Sequence, residues 1–244
     1  MRLMNLCLWL SLSACSSTQL ASATEGPGVS STNIRLPTDG RVVALVGEMH
    51  FNVLQQAIEL STLADTNHDP IWLLINSPGG YVIAGNFLVN QMHAVRASGV
   101  ELNCVVVGVA ASMAFNILTE CSHIYALRDT TFLFHPIREI LRADTAVTEP
   151  QAKEMARSLA VDDRRWMRRL MHMLSGMPES IFRENYYNET YWYPDDLNEA
   201  CGRIVIQIVD TIYGLPAKRL FKYPQQGPNS NEPAQLPHHL INRE

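Results

Sequence analysis

The chain has 244 residues and a formal net charge of −5. An acidic balance of this kind gives the protein no basic face and argues against nucleic acid as a partner. The length suits one large domain, or one domain with short tails.

The N-terminus is predicted to be a targeting segment. Its apolar run, Leu3 to Leu12, is too short to span a membrane as a permanent anchor. The sequence Leu12-Ser13-Ala14-Cys15 resembles the processing signal of bacterial lipoproteins. That resemblance implies removal of residues 1–14 as a signal peptide and a lipid on Cys15. An ordinary cleaved signal with a chance cysteine is the alternative.

Three further regions follow the signal segment. Residues 15–38 are predicted to form a flexible tether, because Ser, Thr, Ala and Gly dominate its first part. The resemblance to bacterial lipoproteins implies the periplasmic face of the outer membrane, because Ser16 stands where an aspartate after the cysteine would indicate retention at the inner membrane. Residues 39–215 are predicted to form the domain. Residues 216–244, rich in Pro, Gln and Asn, are predicted to be disordered.

Apolar strands alternate with helical patterns in the first half of the domain. Strands are predicted over residues 41–46, 71–75, 102–107, 123–127 and 131–134, and helices over residues 52–64, 82–97 and 113–118. This alternation favours an α/β fold with a parallel sheet covered on both faces.

A long helix is predicted after this alternation. Thr148 and Gln151 have the spacing of a capping box, and the helix is expected to run to about Leu174. Its apolar stripe and charged flanks indicate packing on another body, either its own domain or a second subunit. A helix over 178–184, a strand over 190–193, a helical turn over 195–201 and a last strand over 203–209 follow.

One serine lies at the joint between a predicted strand and a predicted helix. The Ser112 hydroxyl would occupy an exposed corner at a helix N-terminus, where free N–H groups favour developing negative charge. That position suits a nucleophile, and a simple helix N-cap is the alternative. His135, at the end of a strand, is a candidate base. Backbone N–H groups of Gly80 and Met113 are candidate donors to an oxyanion.

Three motifs in order resemble those of the Clp-type serine peptidases, over about Val42 to Asp210. They are Ile75-Asn76-Ser77-Pro78-Gly79-Gly80, Gly108-Val109-Ala110-Ala111-Ser112-Met113-Ala114 and Phe134-His135-Pro136. The resemblance implies a crotonase-like ββα superhelix with a long protruding helix after the histidine. It implies that Ser112 attacks a peptide carbonyl, that His135 is the general base, and that Gly80 and Met113 hold the oxyanion. It also implies a homo-oligomer joined through the long helix.

The third catalytic residue departs from this family's pattern. The family places an aspartate after the shorter helix, and residues 183–190 contain none. Asn185 lies closest to the expected place, Asn188 comes next and Glu189 third. An asparagine carbonyl can accept the imidazole N–H but cannot stabilise an imidazolium by charge.

Three cysteines remain within the predicted domain. In an oxidising compartment two of them could pair, and Cys104 with Cys121 is favoured over a pair with Cys201 because those two flank the central segment. No Cys-x-x-Cys or His-Glu-x-x-His spacing occurs, so neither a metal nor another cofactor is predicted.

The sequence therefore predicts a serine peptidase on a lipid tether. Its expected substrates are short or unfolded peptides, and it is expected to act without an ATP-driven partner because the periplasm has no ATP supply. One alternative is a catalytically silent scaffold or oligomerising module, motivated by the missing aspartate and the long helix. Another is a crotonase-fold enzyme that acts on an acyl-thioester.

Overall fold

The computed structural model describes residues 32–138 and 146–215. The strands in these ranges are β1 (Asn33–Arg35), β2 (Val42–Val46), β3 (Ile71–Ser77), β4 (Leu102–Ala111), β5 (His123–Leu127), β6 (Thr131–Leu133), β7 (Tyr191–Trp192), β8 (Gln207–Val209) and β9 (Thr211–Tyr213). The helices are α1 (Val53–Thr66), α2 (Val82–Ala97), α3 (Met113–Ile117), α4 (Glu149–Met173), α5 (Glu179–Asn188) and α6 (Pro194–Cys201). The signal segment, Cys15, most of the tether and the tail lie outside the described residues.

A parallel sheet in the order β2-β3-β4-β5-β8 forms the centre of the domain. Strand β4 is the longest, and it changes neighbour along its length. Its first half pairs with β5, and its last three residues pair with β6, so that Ala111 lies opposite Leu133. This parallel, helix-covered sheet confirms the predicted α/β fold and brings the carboxyl ends of β4 and β6 together.

Both faces of the sheet are buried, as the continuous apolar strands predict. Leu73 and Ile75 of β3 belong to the main core with α1, α2 and α3. Leu74, between them, points to the opposite face and packs with Leu36 and Val105. Alternation along a strand therefore supplies both layers.

The long helix α4 divides into two halves. The predicted capping box is present, with reciprocal contacts between Thr148 and Gln151. Its buried side chains are Trp166, Met167 and Leu170, all in the C-terminal half, which packs on the domain. Most side chains of residues 149–161 are exposed. The C-terminal half of α4 therefore belongs to this domain's own core, and the N-terminal half leaves its surface open.

The structure differs from the sequence predictions at the ends of the domain. Asn33–Arg35, assigned to the tether, form β1 and pair in parallel with β9. Helix α5 runs to Asn188 rather than ending at residue 184. Strand β8 starts only at Gln207, because the Asn198 side-chain oxygen accepts the N–H groups of residues 205 and 206 and holds them as a loop.

A disulfide joins Cys104 to Cys121 and so confirms the favoured pair. Cys201 is free and buried, and burial raises the pKa of its thiol. None of the described helices combines the length and the apolar character needed to cross a bilayer.

Candidate active site

Ser112 lies at a strained turn between β4 and α3. Its backbone has φ +55° and ψ −124°, in a region that residues with a side chain rarely adopt. Such a conformation costs roughly 1–3 kcal/mol and persists only when its surroundings enforce it. A sharp strand-to-helix turn of this kind projects a serine hydroxyl out of the sheet.

Neighbouring backbone enforces the turn. The Ser112 N–H donates to the Leu133 carbonyl at 2.8 Å, which ties the turn to the end of β6. Its carbonyl accepts the N–H groups of Phe115 and Asn116, both at 3.1 Å. Gly79, with φ +98°, lies so close that a Cβ there would be 2.7 Å from Cβ of Ser112. Only glycine fits at this contact, which fixes the loop after β3 against the serine.

Two backbone N–H groups near Ser112 are free to bind a ligand. Met113 is the first residue of α3, where no preceding turn supplies an acceptor. Gly80 has φ +150° and forms a bridge with Met49, which bonds to the Gly79 carbonyl and the Tyr81 N–H. Within the described ranges, neither the Gly80 N–H nor the Met113 N–H donates a hydrogen bond to a protein group.

His135 follows β6, one strand away from Ser112. The preceding Phe134 is buried and stacks on Phe182 and Trp192, with ring centroids 5.4 and 6.3 Å away, which anchors the end of the strand. His135 Nδ1 lies 2.6 Å from the Pro136 carbonyl oxygen. No hydrogen bond joins the imidazole to the Ser112 hydroxyl in the described structure.

The environment of His135 lowers the pKa of its imidazole. Burial is the largest cause, the hydrogen bond to Pro136 opposes it, the charge of Arg138 adds to it and the charge of Asp163 opposes it. The net effect is a ring that is neutral at neutral pH. A neutral ring with its Nε2 lone pair free can accept a proton.

The three residues considered for the third catalytic position do not contact His135 by a hydrogen bond. The Asn185 side-chain amide donates to the Ile181 carbonyl of its own helix at 2.7 Å. Asn188 is exposed, and Glu189 forms an ion pair with Arg138.

Sequence reasoning missed Asp163. This residue of α4 accepts the Ile137 N–H at 3.0 Å and the Tyr186 hydroxyl at 2.5 Å, and it interacts electrostatically with His135. It is separated from the histidine by 28 positions in the chain, so no local motif marks it.

A small polar cavity opens beside Ile137, two residues after the histidine. Its volume is about 160 Å³. Asn116 and Trp166 are among its lining residues, and their buried Oδ1 and Nε1 atoms have no hydrogen-bond partner among the described residues. One free acceptor and one free donor can bind a water molecule or a polar group of a ligand.

No group of three or more His, Cys, Asp or Glu side chains in residues 32–138 and 146–215 could hold a metal ion.

A strained serine between a parallel strand and a helix, with a glycine loop against it and a histidine beyond the next strand, is typical of serine hydrolases. The family model for Clp protease matches residues 30–196. The chain therefore belongs to the Clp protease family.

One curated relative is the ATP-dependent Clp protease proteolytic subunit of Streptococcus mutans. It is 35% identical over 75 residues, which cover 30% of this chain and 37% of the relative. The match thus spans little more than a third of the relative's length.

Proposed function

We propose that this chain is a serine-type peptidase that cleaves short or unfolded peptides without an ATP-driven partner. The observation that carries the proposal is the strained turn at Ser112, held by Leu133 and by close contact with Gly79. An N-cap role would require the serine hydroxyl to bond to the helix, and no such bond is formed. Membership of the Clp protease family supports the same chemistry.

In the proposed reaction, Ser112 Oγ attacks the peptide carbonyl carbon while His135 Nε2 takes its proton. The carbonyl oxygen becomes an oxyanion and accepts hydrogen bonds from the N–H groups of Gly80 and Met113. Collapse of this intermediate breaks the C–N bond, and the imidazolium protonates the departing amine. Water then hydrolyses the acyl-enzyme with His135 again as the base.

The two backbone donors supply the main electrostatic stabilisation in this scheme. Each preorganised donor of this kind contributes about 3 kcal/mol to transition-state binding. In this scheme the backbone conformations of Ser112 and Gly80, both with positive φ, set the directions of these N–H groups before any substrate binds. The donors therefore need no reorganisation during the reaction.

We further propose that the domain works on the periplasmic side of a bacterial membrane, tethered by a lipid on Cys15, with the outer membrane favoured. The disulfide between Cys104 and Cys121 supports an oxidising compartment. In that compartment no nucleotide supply would drive an unfolding partner, which limits the substrates to short or unfolded peptides.

A homo-oligomer is proposed through the N-terminal half of α4. Residues 149–161 stand largely exposed, and Met155 and Leu159 in this half are only partly covered by the domain. A second copy packed here would bury the apolar stripe that the first copy leaves open.

A fluorophosphonate probe tests the catalytic proposal. It should label the wild-type protein and the Ser180→Ala variant, in which an exposed serine of α5 is removed, but not Ser112→Ala. Circular dichroism and thermal melting establish that all three proteins are folded.

A catalytically silent scaffold is the second candidate. It is favoured by one observation, the missing hydrogen bond between the Ser112 hydroxyl and His135. Folded wild-type protein that resists the probe at neutral pH would decide for the scaffold. Catalytic hydrogen bonds often tighten only when substrate binds, which is why the peptidase is the preferred proposal.

A further inference from the structure

A continuous series of hydrogen bonds links His135 to α4 and α5. His135 Nδ1 lies 2.6 Å from the Pro136 carbonyl oxygen. The Ile137 N–H, which belongs to the same peptide group as that carbonyl, donates to Asp163 Oδ1 at 3.0 Å. The Tyr186 hydroxyl donates to the same carboxylate oxygen at 2.5 Å. The histidine and the carboxylate therefore bind opposite edges of one peptide plane.

We propose that the Pro136–Ile137 peptide group takes the place of the missing third catalytic side chain, with Asp163 and Tyr186 as positioning residues that hold and polarise it. The inference rests on the proposed peptidase function. It assigns to a main-chain carbonyl the task that an aspartate performs in a Ser-His-Asp triad, and it places the negative charge one peptide group away.

The arrangement selects the useful tautomer of the imidazole. A carbonyl oxygen can only accept, so Nδ1 must carry the proton in the neutral ring, and Nε2 keeps the lone pair that the proposed reaction requires. An asparagine in the same position could present either its oxygen or its nitrogen. The main-chain carbonyl excludes the wrong tautomer without that ambiguity.

The carboxylate adds the charge that a bare carbonyl lacks. Hydrogen bonds in series polarise one another, so a negative charge accepting the Ile137 N–H increases the negative charge on the Pro136 oxygen. When His135 takes up a proton during the reaction, that oxygen stabilises the imidazolium more than an ordinary amide would. The charge of Asp163 accordingly raises the pKa of His135, against the larger effect of burial.

Tyr186 keeps the carboxylate in place. Its ring is fully buried between Phe134 and Phe182, so its hydroxyl position is fixed by the core. Burial and the hydrogen bond to Asp163 raise the pKa of Tyr186, which keeps the hydroxyl a donor at all working pH values.

Arg138 is the other charged side chain that affects the ring, and its effect on the pKa of His135 is opposite to that of Asp163. Arg138 lowers the pKa of His135 by its charge, and it is itself paired with Glu189 after α5. Removing Asp163 and removing Arg138 should therefore move the titration of the ring in opposite directions. This opposition distinguishes a charge effect from a general loosening of the site.

Histidine-ring ¹⁵N NMR on Ser112→Ala protein tests the proposal independently of any catalysis. The His135 signals are assigned by their loss in a variant that also carries His135→Gln. We expect a neutral ring protonated on Nδ1 in the parent, which needs no further variant to observe. Adding Asp163→Asn should lower the pKa of the ring, and adding Arg138→Gln should raise it.

Asp196→Asn is the matched control, because it removes the same charge from an exposed position in the first turn of α6. It should leave the tautomer and the titration unchanged. A ring protonated on Nε2, or a pKa that Asp163→Asn does not move, overturns the proposal whether or not the protein is an enzyme. If Asp163→Asn fails to fold, the tautomer of the parent ring still decides, because protonation on Nε2 by itself overturns the proposal.

The rate of fluorophosphonate labelling, measured from pH 5 to 9, tests whether the hydrogen bonds from His135 to Asp163 affect the reactivity of Ser112. Asp163→Asn should reduce the plateau rate about 10- to 100-fold, by analogy with the loss seen when hydrogen-bond partners of metal-binding histidines are replaced. It should also move the acidic limb to lower pH. A wild-type protein that shows the Nδ1 tautomer but no labelling would contradict the peptidase function. It would not contradict the positioning of His135 by the Pro136–Ile137 peptide group.

Discussion

The serine side and the histidine side of the candidate site are built in different ways. Ser112 is fixed by backbone close to it in the sheet, namely the end of β6 and the glycine loop after β3. His135 lies beyond the last residue of β6, and its support comes from α4 and α5, through Asp163 and Tyr186. Ser112, the proposed nucleophile, is thus positioned by the sheet, and His135, the proposed base, by helices that follow later in the chain.

This difference teaches which part of the site tolerates sequence change. A strained turn admits few residue types, so the residues that position Ser112 form short, recognisable sequence motifs. An imidazole needs only one acceptor at Nδ1, and a side chain or a carbonyl can provide it. The absence of an aspartate in residues 183–190 therefore removes one possible acceptor for His135 Nδ1, and the Pro136 carbonyl oxygen lies in hydrogen-bond reach of the same nitrogen.

The largest effect is expected from His135→Gln, which removes the proposed base and leaves the turn at Ser112 intact. Loss of one member of a catalytic pair of this kind lowers kcat by about 10⁶-fold. The labelling rate of Ser112 by the fluorophosphonate is the measurement, with the melting temperature as the check on folding. Labelling at more than a hundredth of the wild-type rate would show that the serine is activated by another group.

The serine side can be broken at Gly79. The Gly79→Ala variant places a methyl group 2.7 Å from both the Ala111 carbonyl oxygen and Cβ of Ser112, at φ +98°. We expect the free energy of unfolding to fall by about 3 kcal/mol. We expect the rate of fluorophosphonate labelling to fall roughly 10²-fold.

Gly47→Ala is the control for that variant. Gly47 also has a positive φ, +81°, but a Cβ there meets nothing within 4 Å. Backbone strain alone should cost about 1 kcal/mol, with activity retained. Urea unfolding of both variants measures the difference, and equal losses would mean that the close approach to Ser112 is unimportant.

The disulfide between Cys104 and Cys121 affects the elements that position Ser112, because it joins the start of β4 to the chain just beyond α3. Its two cysteines are separated by 17 positions, and closing a loop of this size stabilises a fold by about 3 kcal/mol. Dithiothreitol should therefore lower the unfolding midpoint in urea for the wild type. A protein with both cysteines replaced by alanine should show the lower midpoint with and without reductant.

The smallest effect is a pH dependence of stability from the histidine side. Burial lowers the folded-state pKa of His135, so below about pH 6.5 the unfolded chain takes up a proton that the folded chain does not. The free energy of unfolding should fall as the pH drops from about 6.5 to the folded-state pKa. The His135→Gln variant should lose less stability than the wild type between pH 7.5 and 5.5, and an equal loss would contradict the shifted pKa.

Local patterns predicted the parts of the fold that local physics determines. Helix α2 occupies the predicted residues, and the capping box at Thr148 starts α4 where expected. Strands β1 and β9 were missed because each has only three residues, and their pairing joins opposite ends of the domain. Such a pairing leaves no periodic pattern in either segment.

The candidate site shows the same division. Ser112, Gly80 and Met113 follow from motifs whose spacing reflects one turn and one loop. Asp163 stands next to a second aspartate on a helix rich in charges, and nothing in the sequence distinguishes the two. The partner that links it to the histidine is a backbone N–H, which every residue except proline carries, so only the packing of α4 against the chain after β6 reveals the contact.

The pairing of β1 with β9 determines where the N-terminal boundary of the folded domain lies. The Leu36 N–H bonds to the Tyr213 carbonyl, and the Leu36 side chain is 1% exposed beneath the sheet. A chain that starts at residue 39 would lack β1, so β9 would lose its partner strand. It would also lack Leu36, which covers Leu74 and Val105 on that face of the sheet. A chain that starts at Thr32 keeps both strands of this pair, so the N-terminal boundary of the folded domain lies several residues earlier than the composition suggests.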